Sequence, residues 1–253
     1  MNKIETLKNW IDNCDNIVFF GGAGVSTESG VPDFRSKDGL YNQHDVRFDR
    51  YRPEYLLSHS CLVEEPKVYF EFHRQKMDTR AIEPNFAHKY LAQLEARGKL
   101  KAVVTQNIDG LHQKAGSKNV YEIHGSALRN YCMRCNKKYP EDYIFSSTED
   151  IPHCTCGGII RPDITLYEEM LPDDAVRRSV DAISKAEMLI IGGTSLTVYP
   201  AASYINYFRG RYLAVINRDP LDLGRMGAET LVITDSIGSV FKQVAMESHD
   251  GIR

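Results

Sequence analysis

Short runs of consecutive apolar residues recur along the chain. Residues 17–20 read Ile-Val-Phe-Phe, 102–105 read Ala-Val-Val-Thr, 188–191 read Met-Leu-Ile-Ile and 212–216 read Tyr-Leu-Ala-Val-Ile. Runs of this length, rich in β-branched and aromatic residues, are typical of parallel strands that are buried on both faces. The pattern therefore predicts a buried parallel sheet.

Segments with helical periodicity lie between these runs. Apolar residues share one helical face near the start of the chain, at positions 4, 7, 10 and 11. A second helix is predicted over 84–97, because Pro84 suits the first turn and Gly98 ends the pattern. Further helices are predicted over 173–186 and 200–208. This alternation predicts an α/β fold with a doubly wound, Rossmann-like parallel sheet.

Two segments interrupt the alternation. Residues 39–83 are rich in aromatic and charged residues with helical periodicity only, and residues 128–159 contain paired cysteines. We interpret both as insertions that form a small helical and zinc-binding domain. Residues 1–38, 84–127 and 160–253 then form the nucleotide-binding domain.

Composition narrows the class of protein. The chain has 253 residues, 42% of them hydrophobic and 26% charged, which is ordinary for a folded globular protein. Its formal net charge of -3 argues against binding to nucleic acid through counterion release. Neither a secretory signal nor a membrane-spanning run is evident. These features predict a cytoplasmic protein without a membrane partner.

A glycine-rich turn follows the first apolar run. Gly22 and Gly24 sit where backbone N–H groups can approach a pyrophosphate. The third glycine of the dinucleotide fingerprint is absent, since Thr27 occupies that position. On this motif alone, a purely structural turn is the alternative.

Four of the six cysteines form two close pairs, namely Cys132 with Cys135 and Cys154 with Cys156. Four thiolates satisfy a tetrahedral zinc ion and leave no position open for catalysis, so we predict one structural zinc per chain. The second pair is one residue tighter than the usual Cys-x-x-Cys knuckle, and the glycines at 157 and 158 supply backbone freedom. A zinc ribbon that binds nucleic acid is the alternative, although the segment has few basic and aromatic residues.

Four motifs together carry a family resemblance. They are Gly22-Ala23-Gly24-Val25-Ser26, Pro32-Asp33-Phe34-Arg35, Thr105-Gln106-Asn107-Ile108-Asp109 and His124-Gly125. In this combination and order the chain resembles the sirtuins, NAD-dependent protein-lysine deacylases, from about residue 16 to beyond residue 217.

The resemblance implies a set of NAD contacts. Ala23, Thr27 and Arg35 would contact NAD, and Phe34 would cover the nicotinamide ribose. Gln106 would face the ribose hydroxyls, Asn107 would orient the ribose or a water, and Asp109 with Ile108 would bind the carboxamide. The remaining contacts implied are Thr194 and Ser195 on the phosphates, Asn217 on the adenine ribose, and a turn containing Asp235 and Ile237 beside the adenine.

The resemblance also implies the catalytic base and the peptide site. His124 would accept a proton from the ribose 2′-hydroxyl, a task suited to a group that titrates near neutral pH. Asn107 and Asp109 are the other predicted catalytic residues, whereas we interpret His112 as scaffold and His88 as a surface or packing residue. The acetylated lysine would bind as an added strand beside Leu166, Tyr167 and Glu168 on one side and Val198 on the other.

At the peptide site the sequence departs from the family pattern. Tyr167-Glu168-Glu169 stands where the pattern commonly has Phe-Gly-Glu. Glu168 removes backbone freedom and adds a charge at the mouth of the site, so basic residues beside the target lysine are expected to be favoured. The Tyr-x-x-Arg pair of family members that remove succinyl groups is also absent, with Phe70 and His73 at that spacing.

The sequence thus predicts an NAD-dependent protein-lysine deacetylase that transfers the acetyl group to ADP-ribose and releases nicotinamide. Two alternatives keep the same site, a mono-ADP-ribosyltransferase and a deacylase for longer acyl chains. A third is a binding module without enzymatic activity.

Overall fold

The computed structural model describes residues 2–34, 36–221, 223 and 227–247. Arg35, a predicted NAD contact, lies outside this set. In chain order the regular elements are α1 (Lys3–Asn13), β1 (Ile17–Gly21), α2 (Pro53–Leu56), α3 (His59–Glu64), α4 (Pro66–Lys76), α5 (Phe86–Ala96), β2 (Leu100–Thr105), α6 (Leu111–Lys114), β3 (Val120–Glu122), β4 (Gly125–Cys132), β5 (Lys138–Tyr139), α7 (Tyr143–Ser146), β6 (Ile160–Ile164), α8 (Asp173–Lys185), β7 (Met188–Gly192), β8 (Tyr212–Ile216), β9 (Glu229–Ile233) and α9 (Ile237–Glu247). Short 3₁₀ helices cover Ala23–Val25, Thr27–Ser29, Leu40–Asn42 and Ala201–Tyr207.

Six parallel strands form the main sheet, in the order β3-β2-β1-β7-β8-β9. The chain leaves β1 toward β2 on one side and returns on the other side with β7, which makes β1 the point where strand order reverses. Ligands of open α/β sheets bind beside such a point, outside the carboxyl ends of the strands. The predicted doubly wound α/β fold is confirmed.

The strand ends are level with one another. Gly21 at the end of β1 pairs with Thr105 of β2 and with Gly192 of β7, and Gly192 pairs with Ile216 of β8. The residues that follow these four ends therefore meet at one edge of the sheet.

Both faces of the sheet are covered. Ile17 and Phe19 of β1 belong to the hydrophobic cluster that includes α1, α5 and α9, whereas Val18 and Phe20 belong to the cluster on the opposite face with α8. Because successive strand residues point to opposite faces, a strand covered on both sides must be apolar throughout. This explains the continuous apolar runs in the sequence.

The structure differs from the predicted elements at several ends. Helix α5 begins at Phe86 with Asn85 as its N-cap, so Pro84 lies before the helix. Residues 201–207 form a 3₁₀ helix instead of the predicted α-helix. The second half of the predicted turn at residues 235–238 is helical, because α9 begins at Ile237.

A smaller antiparallel sheet, in the order β5-β4-β6, packs on helices α3, α4 and α7. One cluster joins Cys61 of α3 and Phe70 of α4 with Cys132 of β4, Ile144 of α7 and Ile160 of β6. This shared core supports our proposal that the two inserted segments form one domain. Strand β4 begins before the predicted limit at residue 128, and β6 lies wholly beyond the predicted limit at residue 159. Within the described residues, no helix is long and apolar enough to cross a membrane.

Candidate active site

A cleft of about 870 Å³ lies along the carboxyl edge of the main sheet. Its walls come from the turn after β1, the loops after β2, β7 and β8, and the segment after β6. The cleft brings together most of the predicted site residues: Gly22, Ala23, Gly24, Thr27, Phe34, Gln106, Asn107, Ile108, His124, Leu166, Tyr167, Glu168, Thr194, Ser195, Val198, Asn217, Asp235 and Ile237. Among the described residues predicted to contact NAD or peptide, Asp109 is the exception, because it lies buried behind the wall.

Close backbone contact explains the glycines of the turn after β1. The N–H of Gly24 donates to the carbonyl of Gly193 at 2.8 Å, and a Cβ on Gly24 would lie 2.8 Å from Gly193 Cα. The turn continues as two 3₁₀ helices, and Thr27 Oγ1 donates to the carbonyl of Gly24 at 3.0 Å. Thr27 therefore supports the turn at the position where a third glycine was expected.

His124 lies on the cleft wall between β3 and β4. Its Nδ1 lies 3.0 Å from the carbonyl oxygen of Gln106. A carbonyl can only accept, so Nδ1 carries the proton and Nε2 keeps its lone pair. Burial lowers the pKa of His124, and the hydrogen bond to Gln106 partly opposes this. The ring is therefore a neutral base with one defined basic nitrogen at neutral pH.

A buried polar network lies behind this wall, centred on the hydroxyl of Ser26. The hydroxyl donates to Asp109 Oδ2 at 2.6 Å and accepts from Asn107 Nδ2 at 3.1 Å. Its third partner is His88 Nε2 at 3.4 Å. His88 Nδ1 accepts from the N–H of Asn85, so Nε2 carries the proton and donates. The hydroxyl proton of Ser26 is thereby directed at Asp109.

Two groups of this network have shifted pKa values. Burial raises the pKa of Asp109, whereas the bonds from Ser26 and from the N–H of Leu111 oppose that rise. Burial lowers the pKa of His88 to about 4, so this ring is neutral. His112 packs edge-on against His88 with ring centroids 4.8 Å apart and has no hydrogen-bond partner for its ring among the described residues. The role of His112 as scaffold stays a prediction, whereas His88 belongs to the network, which sequence reasoning missed.

Side-chain bonds also join the loops at the nucleotide end of the cleft. Gln106 Nε2 donates to Thr194 Oγ1 at 3.0 Å, and the N–H of Thr194 donates to Asn217 Oδ1 at 3.1 Å. Glu28, which the sequence did not single out, accepts from the N–H of Gly238 at 2.7 Å and so holds the start of α9 against the glycine turn. These bonds tie the loop after β2 to the loops after β7 and β8, and the turn after β1 to the start of α9.

The segment after β6 forms the opposite lip of the cleft. The N–H of Tyr167 donates to Leu57, and the N–H of His59 donates to Tyr167, so this segment is paired along one side. Glu168 has a φ of 75°, in the left-handed region that favours glycine. Its Oε2 accepts from Ser60 N–H at 2.9 Å and from Ser60 Oγ at 2.7 Å. The carboxylate of Glu168, which the sequence placed at the mouth of the peptide site, is therefore hydrogen-bonded to Ser60.

The four paired cysteines converge. Their Sγ atoms all lie within 4.8 Å of one another, with Cys132 and Cys156 at 3.5 Å and Cys135 and Cys154 at 3.6 Å. Tetrahedral zinc with Zn–S bonds of about 2.3 Å requires sulfur separations of about 3.8 Å, so the set fits a structural zinc ion. A Cβ on Gly158 would lie 2.7 Å from Cys132 Sγ, which explains the glycine after the tight second pair.

The chain also matches known proteins. A sequence model described as the Sir2 family matches residues 22–200. The chain belongs to the Sir2 family. The resemblance to the sirtuins found in the sequence is confirmed.

Relatives and solved structures of the Sir2 family extend the match over nearly the whole chain. An "NAD-dependent protein deacetylase" of Clostridium perfringens is 55% identical over 246 residues, which cover 96% of this chain and 98% of the relative. One of Clostridium acetobutylicum is 53% identical with the same coverage. A structure described as "Sir2-p53 peptide-NAD+" has a TM-score of 0.83 at 34% identity and covers 99% of this chain and 100% of its own. "Sir2 bound to acetylated peptide" gives a TM-score of 0.83 at 32% identity with the same coverage.

Phe70 and His73, which have the spacing of the Tyr-x-x-Arg pair, lie in α4. Phe70 and His73 are fully buried, and neither lines the cleft. Burial lowers the pKa of His73 to about 3, so its ring is neutral. Arg74 is bound to the carbonyls of Ile144, Glu149 and Asp150. No cation is therefore directed from these positions toward an acyl group.

Proposed function

We propose that this chain is an NAD-dependent protein-lysine deacetylase, which transfers the acetyl group of a modified lysine to ADP-ribose and releases nicotinamide. The observation that carries the proposal is His124, a neutral base with a defined basic nitrogen on the wall of a cleft that begins at a glycine turn. Relatives that match 96% of the chain are named for this activity.

NAD supplies an anomeric carbon with nicotinamide as its leaving group. The glycine turn and Thr194 hold the phosphates, and Asn217 holds the adenine ribose. Gln106 and Asn107 face the nicotinamide ribose, where they keep it in position relative to the acetyl oxygen. Ile108, on the cleft wall, and Asp109, buried next to it, form the carboxamide side of the pocket, and Phe34 covers the nicotinamide ribose.

His124 would accept at Nε2 the proton of the ribose 2′-hydroxyl, so that this oxygen can take the acetyl group while the bond from the acetyl carbon to the lysine nitrogen breaks and the amine leaves. Its lowered pKa suits this step, because the ring remains unprotonated throughout the neutral range. The bond from Nδ1 to Gln106 stabilises the positive charge that the ring gains, since a carbonyl dipole favours the protonated form.

The acetylated substrate binds along the open side of the segment after β6. Tyr167 is already paired with Leu57 and His59, whereas the N–H and carbonyl of Glu168 have no partner among the described residues. These two groups are available to an added strand, with Val198 on the other lip. Backbone recognition of this kind selects the acetylated lysine more than the surrounding sequence.

Zinc has a structural role in this proposal, because four thiolates complete its coordination and leave no site for substrate. Thiolate ligands of this kind require a reducing compartment, which supports the cytoplasmic location predicted from the sequence.

The test is product analysis with an acetylated peptide and NAD. Mass spectrometry should detect deacetylated peptide, nicotinamide and acetyl-ADP-ribose in equal amounts. His124→Ala should abolish peptide deacetylation and retain NAD binding, whereas His44→Ala, at a side chain that is 96% exposed, should behave like the unmodified protein. ADP-ribose attached to protein would favour the mono-ADP-ribosyltransferase alternative. Faster turnover of a long-chain acyl peptide than of the acetylated peptide would favour the long-chain deacylase alternative. NAD binding without turnover would support a binding module.

A further inference from the structure

Two tyrosine hydroxyls meet across the cleft. Tyr41 Oη and Tyr167 Oη are 3.0 Å apart, and both rings line the cleft. Tyr41 belongs, with Phe34, to residues 31–34 and 36–42, which we call the cofactor loop. Tyr167 belongs to residues 165–169, which we call the substrate segment. The hydroxyl pair is thus a direct bond between the two sides of the site.

Each tyrosine is fixed to its own segment. The N–H of Tyr41 donates to the carbonyl of Phe34 at 2.9 Å, and the two rings meet edge-on with centroids 5.5 Å apart. Tyr167 is paired through its backbone with Leu57 and His59. A shift of Phe34 therefore moves the Tyr41 hydroxyl, and a shift of the substrate segment moves the Tyr167 hydroxyl. Either shift breaks the bond between them.

We propose that Tyr41 and Tyr167 are positioning residues that couple the nucleotide side of the cleft to the peptide side, so that each ligand binds more tightly when the other is present. The identity of the two ligands rests on the proposed function. A ligand that holds one segment in place also holds the other through the hydroxyl pair. The second ligand then meets a segment that is already in position, and the coupling must be equal in both directions.

Phenylalanine, which the family pattern commonly has at position 167, would keep the ring and remove only the hydroxyl. One hydrogen bond between neutral groups contributes about 0.5–1.5 kcal/mol, which corresponds to a factor of about 2–12 in affinity. This is the size of coupling that the pair can supply.

The experiment measures the dissociation constant of an acetyl-lysine peptide with and without saturating ADP-ribose, which does not react. The proteins are the unmodified chain, Tyr41→Phe, Tyr167→Phe and the double variant. We expect ADP-ribose to strengthen peptide binding about fivefold more in the unmodified chain than in either single variant. The double variant should match the single ones, because either change removes the same bond. The affinity for ADP-ribose with and without peptide should change by the same factor.

Tyr207→Phe is the matched control, because Tyr207 lies outside the cleft and is 49% exposed. It should leave the coupling unchanged, and urea midpoints within error of the unmodified chain would show that all variants are folded. Coupling that persists in both single variants would overturn the proposal. Losses that multiply in the double variant would also overturn it, because the hydroxyls would then act separately. Failure of the unmodified chain to bind ADP-ribose at all would instead contradict the proposed function.

Discussion

Ser26 and Ser179 offer a direct test of the polar network behind the active site. Both side chains are completely buried. The hydroxyl of Ser26 has three partners in Asp109, Asn107 and His88. The hydroxyl of Ser179, in α8, has no partner among the described residues. Replacement by alanine removes the same single atom at both sites, but we expect effects of opposite sign on the free energy of unfolding.

The magnitude follows from the contacts. Ser26→Ala removes the bond to the Asp109 carboxyl group, worth about 0.5–3 kcal/mol, and leaves the buried amide of Asn107 without its acceptor, at a further cost of about 1–3 kcal/mol. The 3.4 Å contact with His88 adds little, and some relaxation will occur. We expect a loss of about 3 kcal/mol, or about 6–12 °C in melting temperature for a chain of this size. Ser179→Ala should gain about 1 kcal/mol, because an unsatisfied hydroxyl is lost and alanine favours the helix.

Urea unfolding at pH 7.5, followed by circular dichroism, measures both changes if the m-values remain equal. The Ser26 variant should also lose sensitivity to inhibition by added nicotinamide, whereas the Ser179 variant should retain it. Equal losses of stability in the two variants would refute the argument, since they would show that the hydrogen bonds of Ser26 contribute nothing beyond burial.

Four further predictions concern protons, metal and substrate. The acidic limb of the kcat/KM profile, which reports the free enzyme, should lie below the ordinary histidine pKa of about 6.5, because burial lowers the pKa of His124; a limb above that value would contradict its role. Removal of zinc, or Cys132→Ala, should unfold the small domain and abolish activity, and an active, verified metal-free protein would show otherwise. The folded-state pKa values of His73, His88 and His112 are lowered, so their contribution to stability is complete above about pH 6.5 and is lost on acidification, down to about pH 4 for His88 and about pH 3 for His73. In that pH range His112→Phe should therefore lower the slope of the unfolding free energy against pH by about 1.4 kcal/mol per pH unit. An unchanged slope would show that His112 does not contribute to this pH dependence. Desuccinylation should be about a hundredfold slower than deacetylation of the same peptide, because an unpaired buried carboxylate costs about 3 kcal/mol; comparable rates would reveal another cation.

Strands β1, β2, β7 and β8 could be predicted because burial on both faces leaves a continuous apolar run. Strand β9 was not predicted, since it lies at the sheet edge and exposes Glu229, Thr230 and Val232. The level register of these strands explains why the motif residues that follow them lie in one cleft.

The network behind the site could not be predicted in the same way. His88 lies 62 positions from Ser26, and only the packing of α5 brings them together. Nothing in the local pattern distinguishes His88 from a packing histidine. The position of Asp109 behind the cleft, and the bond between Glu168 and Ser60, likewise depend on how loops fold over one another.

The orienting partner of His124 is a main-chain carbonyl, and this affects how the enzyme tolerates genetic change. Where a carboxylate side chain orients a catalytic histidine, a single codon change can delete it. Here every residue that replaces Gln106 still brings a carbonyl oxygen to the same position. That carbonyl is held by the end of β2, because the N–H of Gln106 donates to Gly21 of β1 at 3.0 Å. The main-chain geometry at the end of β2 therefore fixes the tautomer of His124. Substitutions at position 106 can alter ligand contacts while the proton stays on Nδ1.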